Sequence, residues 1–280
     1  MGYIKFLTVY DDSMQMFLSE NILKKYNIAA YPPVYFCDGK PYYDGLNADA
    51  SEFVRQKDTL SVKGPLIPEK VFHNAFQQAY NEGYFSVIVV CPHGKWYPYY
   101  KQAVNAANKF RRSNRFDFDT FSIDVIDSKS FASGVCMHTL SMAQQYELCH
   151  YPAETVVDYG KNLALKNKTY ILLDSESAFG EKCGGLTAFR SVGYKFEKLS
   201  VSESHDCVKL DMFADIICKL LKTEGIRYSV SFGTECDFAG AVIGRIESKS
   251  GKKPVSVNCY SIISADVLGN AAFCINLFNS

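Results

Sequence analysis

The 280-residue sequence has no CxxC pair among its ten cysteines, no GxGxxG, no GxxxxGK followed by Ser or Thr, no HExxH and no GxSxG. Each absence removes a class of function. Without paired cysteines there is no zinc or thioredoxin-type spacing. Cys37, Cys91, Cys136, Cys149, Cys183, Cys207, Cys218, Cys236, Cys259 and Cys274 are scattered, and several sit in apolar runs, as Cys91 does in "SVIVVC". They are expected to be buried, reduced thiols. Without a glycine-rich phosphate loop, a nucleotide cofactor has no basis in the sequence. The five histidines form no metal pair, and no local signature sets a Ser or Cys beside a base. Neither charge sign dominates or clusters, with 30 basic and 30 acidic residues, so no footprint for nucleic acid is expected. No apolar run approaches the ~20 residues that span a bilayer. "MGYIKFLTVYDDS" reaches two aspartates too soon for a signal peptide, and Phe6 stands where a myristoylation signal needs Ser or Thr. A cytoplasmic protein without stable membrane insertion is expected.

What is present is a strand–helix alternation, the α/β pattern. A chain of this length can bury roughly three quarters of its unfolded surface. Strands are predicted at Tyr3 to Tyr10, Ser86 to Cys91, Thr120 to Ser128, in "KTYILLDS", and at Tyr228 to Thr234. Helices are predicted at Ser19 to Tyr26, Pro68 to Asn81, Tyr97 to Phe110, Ser133 to Cys149, from "HYPAE" through Leu165, Val208 to Thr223, and Phe238 to Glu247. "PPVYFCDGKPYYDG" reads as a hairpin turning at Asp38-Gly39, and "LSVKGPLIP" as a loop by its Gly and Pro content. The break before "KTYILLDS" places a domain boundary near residue 165.

Ligands of open α/β sheets bind outside the carboxyl ends of strands, where strand order reverses. Three loops leave such ends: "DDSMQ", "PHGKW" and "DSKSF". Asp11 and Asp12 are read chiefly as helix caps, and as a carboxylate pair in the alternative. His93, beside Gly94 and Lys95, is the one histidine in a loop that follows a strand. The only adjacent glycine pair, in "EKCGGLTAF", is followed by the apolar Leu186.

The hairpin region carries a resemblance. "YNIAAYPPVYFCDGKPYYDGLNADASEF" (Tyr26 to Phe53) resembles the N-terminal part of the DegV family, with its YGI, DGK, DG and EF elements. Asp12-Ser13 matches the family's early TDST motif, "NEGY" its "EEGY", and Asp127-Ser128-Lys129-Ser130 its "VIDSKS"-like run; Tyr100 and Ala103 fit as well. The resemblance implies a two-domain α/β fold: a Rossmann-like parallel sheet at 1–165, with a hairpin insertion at 31–46, and a mixed-sheet domain at 166–280. It also implies a fatty acid or similar lipid held between the domains, no catalysis and no cofactor, and presentation of the carboxylate to a fatty-acid kinase.

The polar ligands carry over poorly. The family's TSQP loop falls at Val62 to Leu66, around Lys63 and Gly64. Its serine loop has become "PHGKWYPYY", its Lys-Gly-Gly-Arg turn is Cys183-Gly184-Gly185-Leu186, and its C-terminal His falls near Ala265 or Asp266. The implied site is thus Ser13, Lys63, Gly64, His93, Gly94, Lys95, Gly184, Gly185, Leu186 and Ala265, with no metal ligand. Lys63, His93 and Lys95 would form a substitute cation set, with His93 held protonated by the carboxylate. Two rivals stay open: an enzyme using Asp12, Ser13, His93 and Lys95, and a degenerate paralogue that binds a protein partner.

Overall fold

"SVIVVC" is apolar at every position because it is covered on both faces. In the computed structural model it forms β6 (Ser86–Cys91), lying parallel between β1 (Ile4–Val9) and β7 (Ser122–Asp127). The structure describes residues 3–9, 19–43, 62–113, 120–173, 177–178, 181–182, 186–193, 195–199, 206–233, 236–259, 268 and 272–279. With β2 (Ile28–Tyr31) parallel to β1, the N-terminal sheet has the order β2-β1-β6-β7. Side chains alternate across it. Leu7, Val9, Val87, Val89, Cys91 and Ile123 pack on the side of α2 (Glu69–Asn81) and α3 (Tyr99–Arg112). Ile4, Phe6, Ile88, Val90 and Ile126 pack on the side of α4 (Ser133–Cys149) and α5 (Ala153–Lys166). A short α1 (Glu20–Lys25) links β1 to β2.

Between β2 and α2 stands a small antiparallel sheet of β3 (Val34–Cys37), β4 (Lys40–Tyr43) and β5 (Val62–Leu66), in the order β4-β3-β5. The hairpin expected from Asp38-Gly39 is there. The reading of "LSVKGPLIP" as a loop is corrected, since its middle is a strand. Val34 faces Leu66 and Phe36 faces Lys63, so Gly64 and Pro65 together oppose Tyr35. That is a β-bulge on a strand paired on one side only, where a proline removes no ladder bond.

After α5 the chain enters a six-stranded mixed sheet. Its members are β8 (Lys168–Leu173), β11 (Thr187–Val192), β12 (Lys195–Lys198), β13 (Ile226–Phe232), β14 (Val257–Cys259) and β15 (Ala272–Asn279), in the order β12-β11-β8-β15-β13-β14. Two short strands, β9 (Ser177–Ala178) and β10 (Glu181–Lys182), pair with each other. One face of the sheet is covered by α6 (Asp206–Leu221) and α7 (Ala239–Ser250). The other face meets the N-terminal domain through α4, which contacts β1, β6, β13 and β15. A helix between two sheets has no solvent side, and Ser133 through Leu140 are buried without interruption.

The parallel N-terminal sheet and the mixed C-terminal sheet are the architecture expected. The nine described cysteines are all free thiols, but the expected burial is corrected at Cys149, Cys207 and Cys259, which are exposed. Among the described residues, no helix is long and apolar enough to cross a membrane.

Candidate functional site

Strand order reverses between β1 and β6, because β2 lies beyond one of them and β7 beyond the other. The carboxyl ends of β6 and β7 therefore open toward the seam between the two sheets. Their loops are tied together: Ser128 N donates to Cys91 O at 3.0 Å and His93 N to Ser130 O at 3.0 Å. Asp127 Oδ1 accepts from Gly94 N at 3.1 Å and Lys129 N at 2.9 Å. Asp127 Oδ2 is buried with no hydrogen-bond partner among the described residues. A β-carbon on Gly94 would lie 2.7 Å from that oxygen, so glycine is required there by packing. Lys129 and Ala132 hold φ of 53° and 45°, two non-glycine residues in the left-handed region within one loop.

His93 is fully buried at this seam. Its Nε2–H donates to Gly193 O at 3.1 Å, and its Nδ1 accepts from Lys95 N at 3.3 Å. Both ring nitrogens are thus engaged by backbone, which assigns the neutral Nε2–H tautomer. Burial lowers its pKa, against a smaller opposing pull from the Asp127 carboxylate. In this arrangement the ring pins the turn after β11 as a neutral imidazole. Phe131 (centroids 5.2 Å away) and Phe196 (6.2 Å) flank it, and Trp96 packs on Phe196. Lys95 is exposed, its Nζ 4.7 Å from the centre of the Trp96 ring.

Of the other residues named from the sequence, Lys63 and Gly64 lie on β5, not in a loop. Leu186 is buried on the α6 and α7 side of the C-terminal sheet, with Ala188 and Phe213. Ser13, Gly184, Gly185 and Ala265 lie outside the described residues, as do Asp11, Asp12 and Asp266. The structure therefore brings together His93, Gly94 and Lys95, and directs Leu186 into the C-terminal core.

The seam has two parts. Around Phe131 it is apolar, with Ile171, Leu173, Phe189, Ala272 and Cys274 facing Val9, Tyr35 and Tyr97 across one continuous core. Beside this runs a buried polar cluster that the sequence reading did not single out. Asn276 Nδ2 donates to Phe131 O (3.2 Å) and Ser133 Oγ (3.3 Å), while its Oδ1 accepts from Thr169 Oγ1 (2.8 Å). Ser133 Oγ also meets Ser229 Oγ at 2.9 Å and Ser231 Oγ at 3.0 Å. The signal was the alternation in "YSVSF", where serines recur every second residue between apolar ones.

The arrangement of two α/β layers joined through a shared helix is that of the DegV-type fold. It is similar over essentially its whole length to solved structures of that kind. A fatty acid (stearic acid)-binding protein from Eubacterium ventriosum matches with a TM-score of 0.75 at 17% identity, covering 100% of this chain and 98% of that one. DegV from Bacillus subtilis, described as a fatty acid binding protein, matches with 0.76 at 13%, covering 100% of both. A DegV family protein from Thermus thermophilus, described by its fatty acid binding, matches with 0.78 at 15%, covering 99% and 100%. No protein-family model matches the sequence, and no curated protein does.

Proposed function

We propose that this protein binds a long-chain fatty acid or related lipid between its two domains and catalyses no reaction of its own. The observation that carries the reading is the full-length likeness to structures described as fatty-acid-binding proteins. The aromatic and aliphatic side chains that meet at the seam are consistent with it. Burying a sixteen-carbon chain is worth on the order of 12 kcal/mol at ~0.8 per methylene, before association costs. Tail binding therefore tolerates much change around the head group.

The head group is the divergent part. A desolvated carboxylate needs a partner, and a neutral His93 is not a cation. In this reading Lys63 and Lys95 supply the charge, while Ser13, Gly64, Gly94, Gly184, Gly185 and Ala265 shape the approach. An ammonium is a point charge without the fork of an arginine, so selectivity for a carboxylate is looser. The protein works in the cytoplasm and hands the head group to a partner such as a fatty-acid kinase.

Mass spectrometry of lipid extracted from the purified protein tests the reading: an acyl chain in near-stoichiometric amount is expected. Delipidated protein should gain thermal stability with palmitate, and Lys63→Met should weaken that binding by about 1–3 kcal/mol. Protein that carries no lipid and shows no palmitate-dependent shift would overturn it.

A further inference from the structure

At the end of the N-terminal sheet away from the seam is a cavity of about 490 Å³, within the ~300–1,000 Å³ range of small-molecule sites. It lies at the amino ends of β1 and β6, where Ile4 pairs with Ser86, and beside the corner from α4 to α5 made by His150, Tyr151, Pro152 and Ala153. β1 is six residues long, so the cavity stands ~20 Å from the carboxyl ends that open toward the seam. It shares no residue with the implied lipid site.

Every exposed Phe, Tyr or Trp among the described residues lines this one cavity: Tyr3, Phe85 and Tyr151. Exposed rings scattered singly need no explanation, but rings gathered around one hollow mark a binding surface. Tyr146 adds a fourth, with His150 set edge-on to it at 6.3 Å between ring centres. Burial raises the pKa of the Tyr146 phenol, against a backbone bond at Ile4, and Glu147 and Tyr3 add to the rise. The Tyr3 and Tyr146 hydroxyls therefore share one space. No Asp, Glu, Lys or Arg belongs to the lining.

Two helix ends decide the sign of the ligand. α5 begins here with Glu154 in its first turn, which offsets its positive end. α4 ends here with no basic residue in its last turn, which leaves its negative end uncompensated. The faces of aromatic rings are negative as well. Elsewhere the chain covers such faces with its own ammonium groups: Lys5 over Tyr84, Lys25 over Tyr26 and Lys95 over Trp96, at 5.0, 5.0 and 4.7 Å. Among the described residues no cation stands over Tyr3, Phe85 or Tyr151. A primary ammonium would need acceptors for its three N–H groups, and the lining has no carboxylate to supply them. A quaternary ammonium has no N–H to satisfy and is suited to a site made of rings. We propose that this cavity binds a quaternary ammonium group, either on a free small molecule or as the head group of a choline lipid.

Thermal unfolding of the full chain, titrated with choline chloride against sodium chloride at equal ionic strength, reads it directly. A saturable rise in Tm is expected. The uncharged alcohol with a tert-butyl group in place of the trimethylammonium has the same shape, and should bind at least about tenfold more weakly. Tyr151→Leu, at an exposed position, should raise the apparent Kd for choline about tenfold, whereas Tyr151→Phe keeps the ring and should stay within about twofold of the parent. Co-sedimentation with phosphatidylcholine but not phosphatidylglycerol vesicles, lost in Tyr151→Leu, would assign the group to a lipid, and choline binding without it to a free small molecule. No saturable rise, a rise matched by the neutral alcohol, or one unaltered in Tyr151→Leu would overturn the proposal.

Discussion

The two faces of the C-terminal sheet are built from the same strands and hold their neighbours by different means. Along β13 and β15 the side chains alternate: Tyr228, Val230, Phe273, Ile275 and Leu277 turn to α6 and α7, while Ser229, Ser231, Cys274 and Asn276 turn to the N-terminal domain. The helix side is a dry layer, worth about 25 cal/mol for each Å² removed from water and indifferent to direction. The seam adds hydroxyls and an amide whose net value is about 1 kcal/mol per bond, but which demand one orientation. The contrast teaches that stability and alignment are supplied by opposite faces.

Substitutions sharpen this, beginning with the largest effect. Phe213→Ala removes a fully buried ring that stands against Phe273 in the dry layer, and should cost about 3–5 kcal/mol in urea unfolding. A cost below about 1 kcal/mol would mean that layer is not the stabilising one. Asn276→Ala strands Thr169 Oγ1 in a buried site, and should cost about 2 kcal/mol. Its distinguishing mark is faster amide exchange in the first turn of α4, with α6 unchanged; uniform acceleration would break the distinction.

Acid should act on the seam side. Burial lowers His138 to about 4, and it lowers His93 as well. A histidine with a depressed folded pKa contributes stability that is fully present above its unfolded value near 6.5, and that is lost as pH falls toward the folded value. Between pH 7 and 5.5 the His138 contribution should fall by about 1.4 kcal/mol. His138→Gln should flatten the pH dependence of urea midpoints in that window; an unchanged slope would remove His138 as its source. The smallest effect is on the outer surface, where Asp211 receives Arg245 and Lys249 across α6 and α7. Asp211→Asn should cost no more than about 0.5 kcal/mol and fade in high salt. A salt-insensitive loss above 1 kcal/mol would show that charge also holds the dry side.

Much of the fold was legible because its signals are local. Ser133 to Cys149 and Ser86 to Cys91 run as their patterns predict. β5 was missed because Gly64 and Pro65 signal a loop in isolation, and only register against Tyr35 makes them a bulge. The site was harder for a related reason. Nothing near "PHGKW" announces that the partner of His93 is the carbonyl of Gly193, one hundred residues away. Nor does anything there announce that Asp127, thirty-three residues on, stands against Gly94. Long-range partners leave no mark in a single sequence, whereas the alternating serines of "YSVSF" did leave one.

β15 has a meaning for the order of assembly. It lies between β8 and β13, antiparallel to both, and is made about a hundred residues after β8. Until it is synthesised, β12-β11-β8 and β13-β14 are separate ribbons, each with an open edge. At about 5–20 residues per second that interval is on the order of ten seconds on the ribosome. The strands of the N-terminal sheet are all made before β8 and can pair during that wait. The C-terminal ribbons pass through a period of unpaired backbone in which a chaperone or a neighbouring chain competes with β15 for their edges.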